Sequence, residues 1–318
     1  MNPYATLGRY GTAIALVVLI AFNFAVTPNF ATLQTLNVNL TQVCTIVIVA
    51  VGMTLVIATG GIDLSVGSLM AISGALAPMI FMGKLVEIGS IHAAVALAIL
   101  VAIFAATVLG AFNGWLIARF RIQPIVATLI LFIAGRGIAQ VVTNGNLQVF
   151  KVPEFQVIGL GRIFGLPVQV ILMILIVAAA AWVLRRTTFG RQVLAIGGNE
   201  RAARLSGIAT SRIKIGVYAI SGALAGVAGL IVIAINSASD ANLVGMGMEL
   251  DAIAAVAVGG TLLSGGRATI IGTLMGALII QLVRYTLLAN GVPDAAALVV
   301  KAAIIIGAVW LQERGRVA

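Results

Sequence analysis

The sequence predicts an all-α polytopic membrane protein of about ten transmembrane helices, with both termini in the cytoplasm. Three observations predict it. First, 61% of the 318 residues are hydrophobic and only 9% are charged, against roughly 25% charged in a soluble domain. Second, apolar runs of about 20 residues recur along the chain, the length that crosses a hydrocarbon core. Third, the basic residues collect at alternate connections between those runs. Ten spans use about 200 residues, which leaves short connections and no room for an appended soluble catalytic domain. Residues 1–318 are therefore read as a single transmembrane domain.

The spans follow in order. The first lies at about 11–27; only Arg9 precedes it, and Ala25-Val26-Thr27-Pro28 lacks the small-x-small pattern of a cleavage site, so it is read as a retained span. The second and third, about 38–58 and 64–82, are parted only by Thr59-Gly60-Gly61-Ile62-Asp63. That link is either a cytoplasmic turn or a break within the membrane. Cys44, the sole cysteine, lies in the second span and excludes an internal disulfide. The fourth (91–111) and fifth (124–142) flank Arg119 and Arg121. A polar outer loop at 143–165 leads to the sixth (166–184); it is a meeting place for a periplasmic partner or a plain solvated connection. The seventh (215–236), a short eighth (250–263), the ninth (268–288) and the tenth (296–311) complete the set.

Orientation comes from the charges. With the N-terminus inside, 13 of the 19 basic residues fall in inner connections, from Arg9 through the 185–214 loop to Arg267, Arg314 and Arg316. Only Lys84, Lys151 and Arg162 fall outside, and Arg136, Arg284 and Lys301 lie within spans. Glu87, Glu154, Asp240, Glu249 and Asp294 lean outward. This split sets both termini in the cytoplasm. The net charge of +10 thus reports topology, with lipid and not nucleic acid as the partner.

The inner loop at 185–214 holds seven of those 13 basic residues. Within it AIGGNERAARLSGI (195–208) has the grammar of a short helix of eight or nine residues. Asn199 caps the start, Glu200 meets the positive end of the dipole, and Gly207 closes the other end. Glu200 and Arg204 form an i,i+4 pair, while Ala202, Ala203 and Leu205 make a small apolar face. So short a helix gains little alone. It either lies under the headgroups or docks a cytoplasmic subunit.

Polar groups inside spans are expensive and are read as functional candidates. Asp63 is the sole charged residue between Arg9 and Lys84, and Asp63 or Ser65 is placed to cap the following half-helix. Arg136, near the outer end of the fifth span, is read as snorkelling or ion-paired, or, with Gln140 on the same face, as lining a polar cavity. Asn113 and Asn236 are weaker cavity candidates. Asp63, Ser65, Asn113, Arg136, Gln140 and Asn236 are the residues expected along a translocation path. Gly110 and Gly114, Gly222 and Gly226, and Gly272 and Gly276 are read as close helix approaches.

No phosphate loop, H-E-x-x-H or G-x-S-x-G occurs, and Leu263-Ser264-Gly265-Gly266-Arg267, though like an ATPase signature, lies at a span boundary. The sole histidine, His92, builds no metal site without partners. Finally, GGIDLSVGSLMAISGAL (60–76) echoes GGTLLSGGRATIIGTLMGAL (259–278), the kind of internal duplication transporters use.

The stretches GMTLVIATGGIDLSVGS (52–68), AIGGNERAARLSGI (195–208) and MELDAIAAVAVGGTLLSGGRATIIGTLMGALIIQ (248–281) resemble the permease subunit of sugar-importing ABC transporters, the family serving ribose, xylose and galactofuranose. With 122–145 the likeness covers nearly the whole chain. The run IQPIVATLILFIAGRGIAQ is most similar to galactofuranose-type permeases. The resemblance implies a bacterial inner-membrane permease that binds no cofactor itself and works beside a second permease subunit, identical or sister. A periplasmic sugar-binding protein would deliver the monosaccharide, and a cytoplasmic ATPase would hold the ATP and Mg. It also implies that the family's coupling helix maps onto Gly197 to Ile208, making Gly197, Gly198, Asn199, Glu200, Arg201, Arg204, Leu205 and Gly207 the ATPase-coupling residues. The alternative from residues alone is an ion-coupled secondary transporter of a small polar solute, with Asp63 as its central carboxylate.

Overall fold

The computed structural model describes residues 3–293, 295–300, 302–304 and 306–307, with side chains from Gly11 onward. Its helices are α1 (Pro3–Val26), α2 (Leu33–Ala58), α3 (Val66–Phe81), α4 (Ile91–Phe120), α5 (Pro124–Val142), α6 (Pro153–Leu160), α7 (Val168–Arg186), α8 (Thr188–Gly198), α9 (Glu200–Leu205), α10 (Thr210–Asn236), α11 (Met248–Val258) and α12 (Ile270–Ala289). Six of them, α2, α4, α5, α7, α10 and α12, are long and apolar enough to cross a membrane. At 16 and 11 residues, α3 and α11 are shorter elements. The first nine expected spans each overlap a helix. Helical backbone resumes at Ala295, whereas Asp294, Lys301, Arg314, Arg316 and the end of the expected tenth span lie outside the described residues.

Local chemistry sets the helix starts. Thr32, Thr187, Asn199 and Thr269 each accept a backbone N–H three residues on, from Thr35, Gly190, Ala202 and Gly272, which satisfies an orphan donor of the first turn. Pro124 and Pro153 begin α5 and α6, where a missing N–H costs nothing.

The core forms around α2, whose residues from Val43 to Ala58 are all buried; a helix apolar on every side belongs in the middle. Around it pack α10, α12, α11 and α7. The glycine pairs mark close approaches. A Cβ on Gly110 of α4 would stand 2.4 Å from Tyr218 O of α10, and one on Gly276 of α12 would stand 2.1 Å from Ala255 O of α11. Small residues let membrane helices approach to this distance.

Both long loops carry more structure than the sequence suggested. In the 143–165 loop, strand β1 (Gln148–Val149) pairs antiparallel with β4 (Ala238–Ser239), and β2 (Arg162–Ile163) pairs with β3 (Leu166–Pro167). Phe164 and Gly165 both take positive φ between the latter two, as a tight hairpin demands. Next to them α6 packs on α10, with Gly159 against Ala234 and Ile235. The 185–214 loop holds two helices, α8 and α9, where one was expected.

Candidate functional site

At the end of the bundle that carries α8 and α9, two helices finish in the same way. In α2 the N–H of Gly60 donates to Ile57 O and that of Gly61 to Val56 O; after α11, Gly260 donates to Ala257 O and Thr261 to Val256 O. Gly60 and Gly260 sit at φ +80° and +81°. Both are Schellman closures, which need the left-handed residue that glycine supplies. The sequence echo is therefore an echo of backbone, in a corrected register: Gly60 matches Gly260, not Gly259.

The two turns touch. Gly266 N donates to Ala58 O at 3.1 Å, and the Thr54 and Thr273 hydroxyls meet at 2.8 Å behind it. The end of α8 is seated on that contact. A Cβ on Gly197 would stand 1.9 Å from Ala58 O and 2.4 Å from Gly266 N, so only glycine lets α8 rest there. Gly198 faces open space.

Asn199 then ends α8 and starts α9, its side chain accepting Ala202 N at 3.0 Å. Gly207, at φ +83°, closes α9 with Ile208 N on Ala203 O. Glu200 pairs with Arg204 at 3.2 Å and with Lys214 of α10 at 2.6 Å. The exposed Glu200–Arg204 pair contributes about 0–1 kcal/mol, while the Lys214 side chain is only 15% exposed and its bond ties α9 to α10. Two expectations change. The helix is six residues long, and Leu205 is 83% exposed, with only Ala203 buried. Leu205, Arg201 and Arg204 all project outward.

The path candidates separate into three places. Asp63, Ser65 and Asn113 form one sealed cluster, each fully buried. The Asp63 carboxylate accepts Ser65 N at 3.0 Å, Ser65 Oγ at 2.6 Å and Ser221 Oγ at 2.8 Å, while Asn113 Nδ2 donates to Ser65 Oγ at 3.0 Å. Together these bonds hold the α2–α3 link to α4 and α10. The link is exposed at Gly60 and buried at Asp63 and Ser65; Asp63 meets α10 at Ser221, about 16 Å along that helix from its N-terminal start at 1.5 Å per residue. Ser221 escaped sequence reasoning because a serine in a small-residue helix face carries no signal. Asn236 is alone, exposed at the C-terminal end of α10.

Arg136 and Gln140 stand elsewhere again, and Arg136 does not snorkel. Its guanidinium donates to Ala241 O at 2.8 Å, to Val244 O at 2.6 Å and to Gly67 O at 3.5 Å. Gln140 Nε2 donates to Asn242 Oδ1 at 2.6 Å. Both side chains clamp the non-helical segment 240–247 against α3 and α5. Gly67 and Gly245 permit the fit, since a Cβ on either would stand within 2.4 Å of the other's carbonyl oxygen. Hydrogen bonds to a charged group contribute about 1.5–3 kcal/mol each. Arg136→Gln should therefore lower the unfolding temperature in detergent clearly, and Arg136→Lys should rescue only part of it, because a single ammonium replaces the planar fork.

An apolar helical bundle carrying a short, outward-facing basic helix, joined through α8 to two glycine turns, has the architecture of a membrane permease. Residues 36–309 match the family described as branched-chain amino acid transport system / permease component, and the chain belongs to that family, among its sugar ABC importer permeases. It is 44% identical to the ribose import permease protein RbsC of Escherichia coli K12, over 98% of this chain and 95% of the relative. To the galactofuranose transporter permease protein YtfT of the same organism it is 41% identical, over 86% and 78%. To the L-arabinose ABC transporter permease protein AraH of Azospirillum brasilense it is 34% identical, over 98% and 89%. Of these three the ribose permease shares the most, so identity does not favour the galactofuranose type expected from 122–140. No solved structure matches the chain. It is a multi-pass protein of the inner membrane.

Proposed function

We propose that this permease carries a monosaccharide into the cytoplasm through about ten spans with both termini inside. ATP and Mg bind a separate cytoplasmic ATPase, a periplasmic binding protein delivers the sugar, and a second permease subunit, identical or sister, completes the path. Ribose is the first substrate to test, on the strength of the 44% relative; galactofuranose is the second, on the 41% relative.

One observation carries the reading: the seat of Gly197 on the Ala58–Gly266 contact. A partner pressing on Arg201, Arg204 and Leu205 moves α9 and α8 together, and α8 meets the α2–α3 and α11–α12 turns at one point. Force applied there reaches both hairpins at once. An importer fed by a binding protein needs no tight site of its own, in keeping with the scarcity of polar groups in the spans.

Charge reversal tests the docking surface. The pair Arg201→Glu and Arg204→Glu should cut co-purification with the ATPase at least tenfold while the permease stays folded. Undiminished co-purification would remove α9 from the docking role. Uptake of ribose, galactofuranose and xylose by ATP-loaded proteoliposomes containing all partners then identifies the sugar.

A further inference from the structure

The segment 240–247 is non-helical and lies deep. From Ser239, paired in the outer strand, it descends along α3: Val244 packs at Gly74, and Gly245 at Gly67 and Met70. Met70 lies about 17 Å below the outer end of α3 at 1.5 Å per residue, near the middle of a core about 30 Å thick. Irregular backbone at that depth is stable only where protein buries it or it borders a water-filled space; lipid cannot satisfy it. One side is buried, with Ala241, Val244 and Gly245 against the bundle and Arg136 filling the carbonyls. The other side is bare. Asn242 is exposed, Leu243 is 64% and Met246 is 67% exposed.

The polar groups on that bare side form a chain. Gln140 Nε2 donates to Asn242 Oδ1, and Asn242 Nδ2 donates to Asp240 Oδ1 at 3.0 Å. Each amide thereby uses one N–H and keeps another. Lipid facing such a row would be costly.

We infer that segment 240–247 is a wall of the translocation path that runs inward from the outer end of α5, where the Asn242 and Gln140 amides meet the hydroxyls of the entering sugar and Leu243 and Met246 meet its C–H face. Amides both donate and accept, which suits neutral, hydroxyl-rich solutes. The inference rests on the chain being a sugar permease, and it assigns contact to residues that no motif marks.

The protein suits a direct test, because its sole cysteine, Cys44, is buried. Asn242→Cys, Leu243→Cys and Met246→Cys each add one thiol. Permease reconstituted with its ATPase and binding protein is treated from the outer side with a charged, membrane-impermeant methanethiosulfonate, without ATP. Phe164→Cys, on the fully exposed outer hairpin, sets the fast limit; Phe104→Cys, on the outward face of α4, sets the lipid limit. Asn242→Cys and Met246→Cys should react at least tenfold faster than Phe104→Cys, and their modification should stop uptake. Reaction as slow as at Phe104→Cys would overturn the inference, placing the segment against lipid or a partner subunit. Labelling needs no sugar, so it stays readable even if every sugar in the uptake panel fails. For contact itself, Asn242→Leu should raise the uptake KM at least fivefold and Asn242→Gln should restore most of it; an unchanged KM for both would remove Asn242 from the sugar's route.

Discussion

Gly197→Ala is expected to leave a folded permease that has lost most of its ATP-driven uptake, on the order of tenfold or more, because overpacking at a backbone contact forces the contact apart. The added methyl would stand 1.9 Å from Ala58 O and 2.4 Å from Gly266 N. Both atoms belong to the hydrogen bond that joins the two turns, and neither is the flexible end of a side chain that can turn aside. Either α8 backs away or the turns separate. Strain of about 1–3 kcal/mol follows, placed at the last residue of α2 and leaving the rest of that helix untouched. The neighbouring Gly198→Ala meets open space and should lose far less. The measurement is sugar taken up per ATP hydrolysed, with thermal unfolding in detergent beside it. A Gly197→Ala protein that transports like the parent would show that α8 does not carry force to the hairpins.

Asp63 gives the second large effect, and its two substitutions should differ. Asp63→Ala removes the acceptor of three hydrogen bonds in a fully buried site. Leaving buried donors unsatisfied costs about 1–3 kcal/mol for each group, so this variant should express poorly and unfold early. Asp63→Asn keeps the volume and the carbonyl that accepts from Ser65, and the Ser221 hydroxyl can turn to accept the new N–H. It should insert, fold and retain most uptake. The contrast separates the structural role from ion coupling. A well-folded Asp63→Asn protein with abolished transport would show that the carboxylate acts in the path itself.

Much of this was legible in the sequence, and the physical reason is plain for each part. Length and charge placement exposed the apolar helices because the bilayer imposes one period on the whole chain. The α9 signals, Asn199, Glu200, Arg204 and Gly207, were legible because capping is local chemistry. What lies between distant segments was not. That Gly197 seats on Ala58 and Gly266 depends on three loops far apart in sequence, and a glycine among 36 announces no neighbour. Arg136 was read as an outer-end residue because its helix position was visible but its acceptors were not; they are backbone carbonyls at Ala241, Val244 and Gly67. Asp63 was marked as costly, and cost alone does not distinguish a clamp from a carrier.

The most direct test of the whole account is uptake by proteoliposomes that hold the permease, its ATPase and its binding protein, with each energy source supplied in turn. Ribose or galactofuranose should accumulate only with ATP inside and binding protein outside, and should be indifferent to dissipating H⁺ and Na⁺ gradients. Uptake by the permease alone, driven by an ion gradient without ATP, would contradict it.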